Sequence, residues 1–291
     1  DHAWLRMETN TAHMTIGVVL IFEDELSLPS LKALLQERLL KFDRFRQRVV
    51  QEGMHAWWQE DNEFSLDNHV TSLTLSEPDE KACLQAVASE IINTSLDFSR
   101  PLWHMHYIDR HQQGSVLIIR IHHCIADGMS LVRLLISLTD NAADPQAVVL
   151  ANDNKPTTGA GSGHHPGFWD VLTHPSQMVD YAKRTLSGIA ELAKVTLGVT
   201  DHSSPLKGPL SGHKQVTWAE PFALADVKRI GKKLNATVND VLVAAVAGAL
   251  RQYMMRNHGN TAQACIHVTI PFNLRPLDAP IEQLGNQFGL V

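Results

Sequence analysis

Two adjacent histidines, His122 and His123, stand just ahead of Asp127 and Gly128 in the segment Gly114–Leu138, GSVLIIRIHHCIADGMSLVRLLISL. Imidazole titrates near neutrality, so it is a natural proton acceptor for an alcohol or amine nucleophile. If His123 faces a cleft, its free nitrogen can take a proton from a hydroxyl as that oxygen attacks an acyl carbonyl. The protonated ring can then return the proton to the leaving group, and such general acid–base work is typically worth ~10²–10⁴ in rate. Asp127 lies four residues beyond His123, past a turn. It can fold back under the ring as a relay, or form an ion pair that pins the turn, with Arg275 in PFNLRP as the favoured partner. Gly128 suits a tight turn that needs positive φ or a close backbone approach.

The elements around the doublet are legible from periodicity. Val116–Ile121, interrupted only by Arg120, is a buried strand, and Leu131, Leu134, Leu135 and Leu138 recur at helical spacing. The order is strand, HHxxxDG turn, helix. Neighbouring strand residues point to opposite faces, so one imidazole should enter a cleft while the other packs. An arbitrary histidine pair more often just ends a strand. His164–His165 is such a case: it lies in a Gly/Ser stretch with no Asp-Gly after it and is read as inert.

Other chemistries fit less well. Histidines adjacent on a strand diverge, and no further Cys, Asp or Glu cluster completes a tetrahedral metal site, so no metal is expected. Cys124 sits beside a base, but sequence adjacency rarely gives a nucleophile its geometry, and a small packed residue is the simpler role. Ser162 in GAGSGHH lacks the strand–helix setting of a nucleophile elbow. No Gly-rich phosphate loop is present.

Along the chain, Thr15–Phe22 is a strand. Leu31, Leu34, Leu35 and Leu39 mark a helix opened by Ser27–Ser30, and a basic cluster (Lys41, Arg44, Arg46, Arg48) follows. His55–Gln59 and Glu63–Val70 are short strands, and Pro78–Ile92 is a helix. Trp103–Ile108 and Ser115–Ile121 form a strand pair. Residues 142–163 turn to Asn, Asp, Pro, Thr, Gly and Ser, a linker composition. Phe168–Leu197 has helical spacing that suits a bridge between domains or an interfacial helix on a lipid surface. Phe222–Leu234 and Thr237–Met255 are helices, and Cys265–Pro271 is a strand. The expected class is α/β, a mixed sheet flanked by helices. The expected division is residues 1–150, a connector over 151–212, and the opening of a second domain over 213–291.

Composition sets outer limits. A chain of 291 residues with 44% hydrophobic content can bury a large core. The net charge of −6 with no long basic block argues against nucleic-acid binding. Three cysteines (Cys83, Cys124, Cys265) without metal-type spacing suggest a reducing compartment. The longest apolar run, Val241–Leu250, is far below the ~20 residues of a membrane span, and the opening DHAWLRMETN lacks a signal-peptide pattern. A cytoplasmic protein is expected, with peripheral contact at the inner membrane or lipid inclusions left open.

HHCIADG resembles the HHxxxDG signature of the chloramphenicol acetyltransferase-like acyltransferases. The surrounding blocks resemble one branch, the wax ester synthase/diacylglycerol acyltransferases. These blocks are Pro101-Leu102-Trp103 shortly before the histidines, Asn239-Asp240-Val241-Leu242, and Leu284-Gly285-Asn286-Gln287-Phe288-Gly289. The opening DHAWLRMETNTAHMTIG is similar to that branch's first strand and lead-in.

The resemblance implies two related domains, the second incomplete in this chain, forming a tunnel that reaches the base from both faces. It implies an O-acyltransferase moving a long-chain fatty acyl group from acyl-CoA to a fatty alcohol or to diacylglycerol, without an acyl-enzyme. Acyl-CoA is then a substrate and no cofactor is called for. By the same resemblance His123 is the general base and His122 and Asp127 support it. Asp127 is held by Arg275, and Asn286 stands near the site as an oxyanion donor, a role typically worth ~3–4 kcal/mol. Gly128 is assigned with Asn286 to the substrate side. Pro101, Leu102, Trp103, Asn239 and Asp240 read mainly as structural, with Thr237 and Asp240 opening a core helix. Ser211-Gly212-His213-Lys214 replaces an expected arginine-containing stretch. Two other functions stay in view: a condensation-type domain using carrier-bound acyl groups, and an inactive lipid-binding scaffold.

Overall fold

The computed structural model describes residues 1–53, 55–77, 80–139, 211–258, 266, 268–274 and 284–290. Two compact units divide the chain. The first comprises Asp1–Asp140, Gly208–Ala245 and Val268–Val291, and the second Asn141–Lys207 and Val246–His267. Apart from the second half of one helix, everything below belongs to the first unit. The expected linker and the Phe168–Leu197 segment lie outside the described residues.

A four-stranded mixed sheet organises this unit. Its strands are β1 (Thr15–Ile21), β4 (Val70–Leu73), β5 (Trp103–His111) and β6 (Gly114–His122), in the order β1-β6-β5-β4. β6 runs antiparallel to both neighbours, and β4 is parallel to β5. All nine residues of β6 are buried. A strand covered on both faces needs no polar alternation, which accounts for its continuous apolar run. Gln112 at φ 55° turns the β5–β6 hairpin. Gly114 follows because a Cβ there would lie 1.9 Å from the carbonyl oxygen of Phe22.

Odd-numbered residues of β5 and β6 (Trp103, Met105, Tyr107, Leu117, Ile119, Ile121) face one core. Its other wall comes from α2 (Leu28–Leu34), a wider π-helical turn (Leu35–Leu39) and α4 (Gly128–Leu138), through Leu31, Leu35, Leu39, Leu131, Leu134 and Leu138. Ser27 caps α2, its hydroxyl accepting from Ser30 N (3.2 Å). The even-numbered face, with Ile108, Val116 and Ile118, packs on α3 (Lys81–Ile92) through Leu84, Ala88 and Ile91.

A strap over 211–220 then runs along α3, held by side chains at helical intervals. Asn93 Nδ2 donates to Lys214 O (2.8 Å) and Asn93 Oδ1 accepts from Lys214 N (2.7 Å). Ser89 Oγ accepts from Val216 N (2.8 Å), and Gln85 Nε2 donates to Trp218 O (3.2 Å). These side chains supply the backbone partners that a neighbouring strand would otherwise provide.

Several expectations need correction. Glu63–Val70 is not a strand: Ser65, Asp67 and Asn68 favour local turns, a 3₁₀ turn occupies Leu66–Asn68, and β4 begins at Val70. The expected strand His55–Gln59 does form, as β3 (His55–Glu60), and it pairs in a hairpin with β2 (Gln47–Glu52), which takes in Arg48 of the basic cluster and turns at Gly53 with φ 58°. The late strand is β7 (Pro271–Asn273), paired with β8 (Phe288–Leu290), instead of Cys265–Pro271.

The late helices do form, as α5 (Leu224–Leu234) and α6 (Val238–His258). Thr237 Oγ1 accepts from Asp240 N (3.2 Å) while Asp240 Oδ2 accepts from Thr237 N (2.8 Å), a reciprocal cap. α6 is not the expected core helix, since Leu242 is 52% exposed. Among the described residues no single helix is long and apolar enough to cross a membrane.

Candidate active site

The end of β6 delivers the doublet. His122 N donates to Leu102 O (2.9 Å) on the approach to β5, and His123 N donates to Met14 O (2.8 Å) just before β1. The two histidine backbones are thus tied to opposite sides of the sheet. His122 packs away with 1% of its surface exposed. Its Nδ1 accepts from Cys124 N (3.1 Å), its Nε2 lies 3.5 Å from a Glu8 carboxylate oxygen, and Phe98 meets its ring edge-on at 5.7 Å. Burial pushes the His122 imidazole below its ordinary range, and the Glu8 carboxylate opposes that shift. Glu8 also accepts from Met14 N and contacts His13 Nδ1 at 2.8 Å, fixing the lead-in to β1. The Cys124 thiol is pushed up to about 12 by burial, which makes it a poor nucleophile and supports its role as a packed residue.

His123 is half-buried, with Trp4 from α1 (His2–Met7) stacked on its ring at 3.8 Å between centroids and 15° between planes. Its Nδ1 stands 3.0 Å from Asn286 Oδ1. Asn286 Nδ2 lies 2.8 Å from His123 O and 2.8 Å from Asp1 Oδ1, two groups that can only accept. The amide nitrogen must therefore face them, and the amide oxygen must face the ring. Against an acceptor oxygen, Nδ1 carries the proton. In the neutral imidazole that leaves the lone pair on Nε2.

Asp127 serves two segments at once. One carboxylate oxygen caps α4 by accepting from Ser130 N (2.8 Å), and the other accepts from Gln287 N (2.9 Å). Beside it Ala126 and Gly285 form a parallel bridge. Gly285 has φ 112°, a conformation that side chains rarely tolerate. Asp127 therefore locks the 284–288 segment against the HHxxxDG turn, which brings Asn286 to His123. The expected partner Arg275 lies outside the described residues, as do His164, His165 and Cys265.

Two assignments change. Both amide hydrogens of Asn286 are spent on His123 O and Asp1, so the oxyanion donation expected of it is not what this geometry offers. Gly128 is not needed for positive φ or close approach. It opens α4 in ordinary helical conformation, and a Cβ there would meet nothing within 4 Å. Pro101, Leu102 and Trp103 are all buried. Trp103 donates Nε1–H to Phe45 O (2.8 Å) and stacks on His69 at 4.5 Å, a structural anchor for β5. Asn239 and Asp240 are exposed at the start of α6. Lys214 Nζ donates to His13 O (3.3 Å), which gives the divergent Ser211–Lys214 stretch a place beside the lead-in. Among the described residues no three potential metal ligands converge.

Sequence reasoning passed over Trp4 and Glu8. The available signal was their position: an aromatic and an acidic residue four apart, just ahead of the strand that pairs with β6.

A sheet with helices on both faces, ending in an HHxxxDG turn, is the fold of the chloramphenicol acetyltransferase-like proteins, and solved structures share it. The first condensation domain of the calcium-dependent antibiotic synthetase superposes with TM-score 0.60 at 15% identity, over all of this chain and 66% of that one. The wax ester synthase/diacylglycerol acyltransferase from Marinobacter aquaeolei VT8 gives TM-score 0.57 at 22% identity, over 87% of this chain and 59% of that one. The chain belongs to the wax ester synthase/diacylglycerol acyltransferase catalytic-domain family, whose profile matches residues 1–242. A Mycobacterium tuberculosis H37Rv protein described as a probable diacyglycerol O-acyltransferase is 25% identical over 303 residues, covering all of this chain. The chain spans about 64% of the length of that relative.

Proposed function

We propose that this chain carries the catalytic base of an acyl-CoA-dependent O-acyltransferase, which moves a long-chain fatty acyl group to a fatty alcohol or to diacylglycerol. The observation that supports this reading is the Nδ1–Asn286 contact, which leaves a basic lone pair on His123 Nε2. In the proposed step, Nε2 accepts the proton of the acceptor hydroxyl as its oxygen attacks the thioester carbonyl. The tetrahedral adduct collapses, the C–S bond breaks, and the proton on Nε2 passes to the departing CoA sulfur. The ring is cationic between these events. Asn286 Oδ1 then accepts a charge-assisted hydrogen bond from Nδ1, and the Trp4 face lies against the positive ring. No acyl-enzyme and no cofactor enter the scheme. The acceptor lipid is water-insoluble and the acyl-CoA is an amphiphile, so in this reading the enzyme works in peripheral contact with a membrane or lipid-droplet surface.

The test is incubation of the full-length protein with labelled palmitoyl-CoA and either hexadecanol or diolein, with products resolved by chromatography. His123→Ala is expected to abolish both esters while the circular dichroism spectrum is retained. Turnover near that of the unsubstituted protein would overturn the assignment.

A further inference from the structure

The even-numbered face of the sheet carries a polar group that the acyl-transfer site does not use. His104 on β5 and Arg120 on β6 stand opposite each other, and His106 follows His104 with 4.4 Å between ring centroids. Thr71 of β4 meets His106 Nδ1 at 3.2 Å, and Ile108, Val116 and Ile118 form the aliphatic part of this face. Arg120 is only 6% exposed. Its Nη1 donates to Thr94 O (2.7 Å) and Thr94 Oγ1 (2.6 Å), which are neutral acceptors, and no carboxylate pairs with it among the described residues. Its Nε is buried without a partner, as is His104 Nδ1. A cavity of about 250 Å³ opens beside them, with Arg120, His104, His69, Ser95 and Arg100 in its lining. Asp97 also lines it, but its carboxylate is engaged by Ser99 (2.6 and 2.9 Å) and lies 3.5 Å from Arg100.

A guanidinium buried without a counter-charge is costly, and a neutral occupant would leave that cost in place. An anion would offset it. The donors come from β6, from β5 and from the loop carrying Arg100. A tetrahedral oxyanion spreads its acceptor oxygens in three dimensions and can meet donors from three elements, where a carboxylate's two oxygens lie in one plane. Burial and the neighbouring cations hold the His104 imidazole down at about 3, so the ring is neutral and can offer one N–H. We propose that this cavity is a binding site for a phosphate group, held by the Arg120 guanidinium and the His104 ring with Arg100 at its rim. The inference does not depend on the acyl-transfer reading. The phosphate can be a free ion, part of CoA, or a lipid headgroup.

Calorimetric titration of the full-length protein with inorganic phosphate tests it. Saturable binding at millimolar concentration is expected. Arg120→Met should weaken it about tenfold or more, since a hydrogen bond to a charged group is removed, and His104→Leu should weaken it about threefold by loss of a neutral donor. If Arg120→Met does not fold, Arg120→Lys takes its place, keeping the charge but losing the planar guanidinium, and should also weaken binding. Parallel titrations with CoA and with phosphatidic acid vesicles identify the source. Tighter, Arg120-dependent binding of either supports the site and assigns its ligand, and binding of neither above phosphate assigns the free ion. Absence of saturable phosphate binding, or equal affinity in the folded Arg120 variants, would overturn the proposal.

Discussion

Asn286→Ala removes the acceptor that holds His123 Nδ1 (3.0 Å) without touching the nitrogen proposed to do the chemistry. The cost can be worked from that contact. When the ring is cationic the bond is charge-assisted, and such bonds contribute ~1.5–3 kcal/mol. At 1.4 kcal/mol per decade this is a fall in kcat of about tenfold to 150-fold. Loss of the acceptor also frees the neutral ring to place its proton on Nε2, which costs roughly a further factor of two. KM should change little, because Asn286 faces the ring and not the substrate. The assay is steady-state kinetics of full-length protein with palmitoyl-CoA and hexadecanol, alongside a circular dichroism melt. A kcat within twofold of the unsubstituted protein for Asn286→Ala would refute the positioning role.

Asp127→Ala loses a helix cap and the bond to Gln287 N (2.9 Å), so urea denaturation should show about 1–3 kcal/mol of lost stability, with kcat falling as Asn286 drifts. An unchanged midpoint would exclude that lock. Acid should weaken the fold through His104 and His106, whose imidazoles are pushed down to about 3 and about 4, chiefly by burial. Above pH 7 both rings are neutral in both states; below 6.5 only the unfolded chain takes up protons, until the native rings follow near 4 and 3. Between pH 7 and 5 the linkage amounts to about 4 kcal/mol for two rings, and about 2 kcal/mol after allowance for partial exposure and screening. Urea melts at the two pH values should show at least this loss, and the double variant His104→Gln/His106→Gln should reduce it by about 2 kcal/mol; identical pH slopes would contradict the assignment.

The parts of the site built from contiguous residues were legible. Strand, turn and helix follow from the apolar run, the Asp-Gly pair and the leucine spacing, and β6 and α4 form where the pattern places them. Opposite fates for the two histidines followed from strand alternation. Asn286 could be named from its motif, but its duty could not, because that depends on which way an amide oxygen points. The orientation is set by Asp1 and by the backbone oxygen of His123, neither adjacent to it in sequence. Trp4 carried no chemical signal of its own, and its place against the ring arises only once α1 packs on the core beside His123 and Phe288. His104 and Arg120 were invisible for a related reason: alternation predicts a shared face, but not that their partners would be missing.

The imidazole on which the reaction is proposed to turn has its proton fixed by an amide 163 positions downstream. During synthesis, the strands bearing the histidines emerge long before that amide does. A nascent chain that has completed its first sheet would hold a ring still free to exchange tautomers, and the turn's aspartate would lack its second tenant. The ring's tautomer is therefore set only once the 284–288 segment has docked on the HHxxxDG turn.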